Sequence, residues 1–111
     1  MRTINLEAGW PDLETARRRL LAEMVSARSQ GARVLKVIHG YGSSGSGGVL
    51  AVGIRKSLRL RVKEGKALTV IPGERFSADA NETRALLQKY PQLRRDGDLN
   101  RANPGITIVE L

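Results

Sequence analysis

The chain contains one histidine, and it stands at the mouth of a glycine-rich run. The apolar stretch Val34-Leu35-Lys36-Val37-Ile38 leads into His39, and Gly40-Tyr41-Gly42-Ser43-Ser44-Gly45-Ser46-Gly47-Gly48 follows. A strand, a glycine turn and a helix start together make an anion trap. The first backbone N–H groups of a helix have no internal partners and point at whatever lies in front of them. Glycine lets the turn take positive φ and lets a ligand come close to the backbone. His39 titrates near neutrality and could act as a general base or donate to a phosphate. Equally, its ring could hydrogen-bond to a neighbouring backbone group and fix the loop. Tyr41 could stack on a nucleobase or cover the edge of the core.

A second concentration of chemistry follows the loop. From Arg55 to Lys66 six basic residues oppose one acidic residue, Glu64. Arg55, Lys56, Arg59 and Lys63 are expected on the side of a helix away from its apolar stripe. Such a one-sided face, next to an anion-trapping loop, suits phosphate contacts, which give affinity and register but read no sequence. Arg17-Arg18-Arg19 forms another basic cluster, but Glu14 and Glu23 weaken its field, and it is expected as a solvated face.

Other site chemistries fit less well. Gly40-Tyr41-Gly42-Ser43-Ser44-Gly45 formally matches the G-x-G-x-x-G dinucleotide fingerprint. The loop nevertheless runs on through Ser46-Gly47-Gly48, and no strand ends in an acidic residue about twenty positions later, as that fingerprint expects. Ser46 stands where a phosphate-loop lysine would be. The absence of cysteine excludes disulfides and thiolate metal sites. With a single histidine, a zinc site would need carboxylates for its remaining protein ligands.

These residues need a scaffold, and the hydrophobic pattern supplies one. Thr3 to Leu6 reads as a strand, and Gly9-Trp10-Pro11-Asp12 as a turn with Pro11 at the first helical position. Leu13, Ala16, Leu20, Met24 and Ala27 recur at three- and four-residue steps, which predicts a helix to about Gln30, ended by Gly31. Val34 to Ile38 fits a buried strand. Leu50, Ile54, Leu58 and Val62 predict a second helix starting at Val49. Ala67 to Ile71 reads as a third strand. Asn81 to Tyr90 reads as a shorter helix, Arg94 to Gly105 as a surface loop and Ile106 to Leu111 as a last strand. The order β-α-β-α-β-(α)-β predicts an α/β chain with helices covering a mixed or parallel sheet.

With 111 residues and 41% hydrophobic composition, one core and one domain over 1–111 are expected. The net charge of +8 and pI near 10.8 favour polyanionic partners, nucleic acid first and an acidic membrane surface second. Aromatic residues are only 4%, which disfavours a large protein interface. Met1-Arg2-Thr3-Ile4 lacks a signal peptide's apolar region, and no run approaches a membrane span, so a cytoplasmic protein is expected.

Val37-Ile38-His39-Gly40-Tyr41-Gly42, the stripe Leu50, Ile54, Leu58 and the ending Pro104-Gly105-Ile106-Thr107-Ile108-Val109-Glu110-Leu111 resemble the Smr (small MutS-related) domain. That family carries an H-G-x-G loop after its second strand. The resemblance covers most of 3–71 and 104–111, with 74–103 as an insertion. It implies a two-layer α/β sandwich with a mixed sheet, like the C-terminal domain of translation initiation factor 3. It also implies binding of DNA or RNA, with nicking endonuclease activity in some members. The family's first motif, L-D-x-H-G, aligns with Ile4-Asn5-Leu6-Glu7-Ala8, so Asn5 replaces the aspartate and Glu7 the histidine. The altered first motif leaves a nucleic-acid-binding module as the first reading. The alternatives are a divergent nuclease, in which Glu7 and His39 share acid–base work, and a protein-binding adaptor. No cofactor is implied, save a divalent cation if the chain cleaves.

Overall fold

In a computed structural model, residues 1–9, 11–41 and 46–111 are described. The chain runs β1 (Arg2–Asn5), α1 (Leu13–Ser29), β2 (Val34–Ile38), α2 (Ser46–Lys63), β3 (Thr69–Pro72), α3 (Asn81–Lys89) and β4 (Ile106–Glu110). Short 3₁₀ turns at Gly73–Arg75 and Pro91–Arg95 flank α3. The four strands form one mixed sheet in the order β1-β2-β4-β3. β1 and β2 are parallel, joined through α1, as a parallel pair requires a crossover. β4 is antiparallel to both β2 and β3 and lies between them.

Period-two alternation sends the strands' side chains to two different cores. Ile4, Leu6, Leu35, Val37, Val109 and Leu111 pack against α1 and α2, which contribute Leu20, Ile54 and Leu58 among others. This is the expected two-layer α/β sandwich. Val34, Ile71, Ile106 and Ile108 point the other way and pack against Phe76, Leu86, Leu87 and Leu93. Residues of the 74–103 stretch therefore close the sheet's second face. Each such fully buried side chain stabilises by about 1.5–3 kcal/mol. Covering both faces explains why β4 is buried at every position and reads as an almost continuous apolar run.

Lys36 points from β2 into this second layer. Its Nζ donates to Asp96 Oδ1 at 2.7 Å and Asp98 Oδ2 at 2.6 Å. Burial pulls the Lys36 pKa down, but the two carboxylates outweigh it and hold the ammonium above its ordinary range. The hydrogen bond from Lys36, with another from Asn103, keeps Asp98 below the usual carboxylate range.

Several boundaries differ from the sequence-based expectation. Asp12, not Pro11, starts α1, because its Oδ1 accepts from Thr15 N–H at 2.8 Å and so caps the helix. α2 begins at Ser46, so Gly47 and Gly48 lie in its first turn instead of in the loop. Arg94 to Gly105 is not a plain surface loop. Arg94 and Arg95 finish a 3₁₀ turn, Leu99 packs on the second core, and Asp96 and Asp98 anchor Lys36.

Candidate functional site

The site gathers where β1 and β2 end and β4 begins. At the end of β2 the chain must turn sharply, and Gly40 does so with φ of +74°. The N–H groups of His39 and Gly40 both donate to Gly105 O at 3.0 Å, which ties the turn to the entry of β4. A side chain at Gly40 would meet the Glu7 carboxyl, whose Cδ lies 2.9 Å from the Cβ position. The Glu7 and His39 segments thus meet through Gly40. Asn5 Oδ1 accepts from Glu7 N–H at 2.9 Å, so Asn5 holds this turn without the charge an aspartate would bring.

His39 is fully buried. Its Nδ1 lies 2.6 Å from Gly40 O and its Nε2 2.9 Å from Thr107 Oγ1. Since a carbonyl only accepts, Nδ1 carries the proton and Nε2 accepts from the threonine hydroxyl. Arg55 Nε in turn donates to Thr107 Oγ1 at 3.0 Å. Burial pushes the imidazole pKa down; the hydrogen bond to Gly40 opposes this and the Arg55 charge adds to it. A neutral, doubly bonded ring is the arrangement that fixes a loop. A general base needs one nitrogen open to its substrate.

Arg55 departs from expectation. It does not lie on the outer face of α2 but turns in to the sheet, with its side chain 17% exposed. Its Nη2 donates to Glu74 Oε1 at 2.7 Å and Ile106 O at 2.9 Å, and Nη1 reaches Glu74 Oε2 at 3.1 Å. That hydrogen bonding holds Glu74 below the ordinary carboxylate range. Arg55 therefore clamps α2, β4 and the Gly73–Arg75 turn together, and it is not available as a phosphate contact.

The remaining basic residues of α2 behave as expected. Lys56, Arg59 and Lys63 are exposed, and none has a carboxylate partner among the described residues. Tyr41 is 59% exposed beside Gly40 and Gly105, so a ring face is open next to the turn. Gly42, Ser43, Ser44 and Gly45, the centre of the expected anion loop, lie outside the described residues. Among the described residues no group of three or more His, Cys, Asp or Glu side chains is placed to hold a metal ion.

A family comparison now bears on this geometry. The model of the Smr domain matches residues 11–75, more than half of the chain. The chain belongs to the Smr domain family. The match runs from the start of α1 to the Gly73–Arg75 turn and includes the His39 turn and the whole of α2. Smr domains are, as a family, nucleic-acid-binding or nuclease-like. Glu7, at the end of β1, lies outside the matched residues. Comparisons with curated proteins and with solved structures give no match. No helix among the described residues is long and apolar enough to cross a membrane.

Sequence reasoning did not pick out Thr107, Glu74 or the inward role of Arg55. Thr107 carried a signal. It is the one polar residue on the inward face of β4, with Val109 and Leu111, and a buried hydroxyl needs a partner.

Proposed function

We propose that this Smr domain binds nucleic acid through its phosphate backbone, using the outer face of α2 and the turn after β2, and that it does not cut. Lys56, Arg59 and Lys63 supply the phosphate contacts, and Tyr41 offers a face on which a base can stack. Gly40 makes the turn after β2, and Gly42, Ser43, Ser44 and Gly45, which follow it in sequence, are assigned as further backbone contacts to the phosphate. The observation that carries this reading is the division of labour on α2. Arg55 is consumed by the fold, whereas Lys56, Arg59 and Lys63 are exposed with no carboxylate partner among the described residues. His39 is a positioning residue in this account, and residues 74–103 are an insertion in a single Smr-like domain.

Glu7 argues against cleavage as the first reading. It is exposed at the end of β1, where an ionised carboxylate repels an incoming phosphate. Only a bridging divalent cation would reverse that sign. The test incubates the chain with labelled supercoiled plasmid and with single-stranded RNA, with Mg²⁺, with Mn²⁺ and with chelator. Retention of either probe without nicking is expected. Nicking lost in His39→Ala or Glu7→Gln would replace the binding account with a nuclease.

A further inference from the structure

We infer that the groove between α1 and α2, away from the His39 turn, is a docking site for an amphipathic helix with acidic flanks. The groove, about 310 Å³, has an apolar floor that includes Leu21, Val25 and Leu111. Arg28, Arg61 and Lys66 stand around it. It continues past Leu21 and Arg61 into a second depression, where Arg17 and Arg18 face Lys56 and Leu60 across the two helices.

Two features of this face need explaining together. Large apolar side chains are open on a helical layer whose outer side should be polar, with Val25 71% exposed and Leu60 47% exposed. Leu21 and Val25 sit one turn apart on α1, the spacing that receives the i, i+3, i+4 anchors of a partner helix. The groove is also rimmed by cations. Glu64 approaches both Arg61 and Lys66, and among the described residues Glu14 is the one carboxylate lining the second depression. A nucleic acid would satisfy the cations but leave Leu21, Val25 and Leu60 without an apolar partner, and among the described residues no aromatic ring lines either part of the groove to stack a base. A second copy of a chain with net charge +8 would bring like charge against the rim. An acidic amphipathic helix matches both the floor and the rim.

The test is selection of displayed helical peptides, with an apolar stripe held constant and the flanking charges randomised, against the whole chain. Enrichment of Asp and Glu flanks is expected. Val25→Glu should weaken the enriched peptide by at least about tenfold, as loss of an apolar anchor does. Because Val25 is mostly exposed, this variant should keep the wild-type melting curve. Arg28→Glu should also weaken it and should regain binding to a lysine-flanked version of the peptide. Oligonucleotide retention should be unchanged by Val25→Glu, which separates the groove's apolar floor from the nucleic-acid face, with Lys56 lining both that face and the second depression. Enrichment without acidic bias, or peptide binding indifferent to Val25→Glu, would overturn the proposal. Oligonucleotide binding lost with Val25→Glu would give the groove to nucleic acid instead.

Discussion

His39 Nε2 and Thr107 Oγ1 lie 2.9 Å apart across 68 positions of sequence, and their hydrogen bond joins the end of β2 to the start of β4. The threonine hydroxyl donates to the ring and accepts from Arg55, so one buried oxygen connects the turn to α2. Removing either partner leaves a buried polar group unmet. Thr107→Val should therefore destabilise the fold by about 1–3 kcal/mol. Thr107→Ser should cost less than the valine change, because it restores the hydroxyl. Equal losses for Ser and Val in chemical denaturation would show that packing alone matters there.

The same ring makes stability depend on pH. Burial holds folded His39 below its ordinary pKa, so the unfolded chain binds more protons in mildly acidic solution. The contribution is full above the unfolded histidine value of about 6.5 and is lost as pH falls below it. Denaturation midpoints measured from about pH 7.5 down to about pH 5 should fall for the wild type. His39→Gln should flatten that fall while lowering the midpoint at neutral pH. An undiminished slope in His39→Gln would place the proton uptake on another group.

Lys36 is a part-buried cation held by Asp96 and Asp98, with its side chain 13% exposed. Lys36→Ala leaves two carboxylates facing each other in a partly dry layer and should cost about 3 kcal/mol or more. Asp96→Asn combined with Asp98→Asn should recover part of that loss in the Lys36→Ala background. A double-mutant cycle on melting measures the coupling, and strict additivity would contradict the network.

Glycine at position 40 answers two separate demands. Its φ of +74° strains any L side chain, and a Cβ there would also press on the Glu7 carboxyl. Gly40→Ala should destabilise by about 1–2 kcal/mol from the backbone term, with an added steric cost. Glu7→Ala should remove only the steric part. If Gly40→Ala is equally harmful with and without Glu7→Ala, the carboxylate does not crowd the turn.

Much of the scaffold was legible because strong periodicity carried it. The α1 and α2 stripes, β2 and β4 follow the apolar spacing closely, and Leu50, Ile54 and Leu58 are all buried. The second layer was harder to read. Leu86, Leu87 and Leu93 belong to short segments whose purpose appears only when Ile106 and Ile108 need cover. The Arg55 misplacement has a similar cause. Helical spacing puts Arg55 next to Ile54 at the margin of the buried stripe, and whether such a residue turns in depends on acceptors far along the chain. Those acceptors, Thr107, Ile106 O and Glu74, are set by tertiary contact. The Smr resemblance located the turn, but not the burial of its histidine.

The most direct test of the account is the salt dependence of nucleic-acid retention. Single-stranded RNA and duplex DNA should be titrated at several salt concentrations against the wild type and a Lys56→Gln, Arg59→Gln, Lys63→Gln triple variant. Log affinity should fall linearly with log salt in the wild type. The slope should be shallower in the triple variant by about 0.7 to 0.9 for each phosphate contact removed. The melting curve should be unchanged, because all three side chains are exposed. A triple variant with wild-type affinity and slope, or a wild type that retains neither probe at low salt, would contradict the claim that α2 carries nucleic acid.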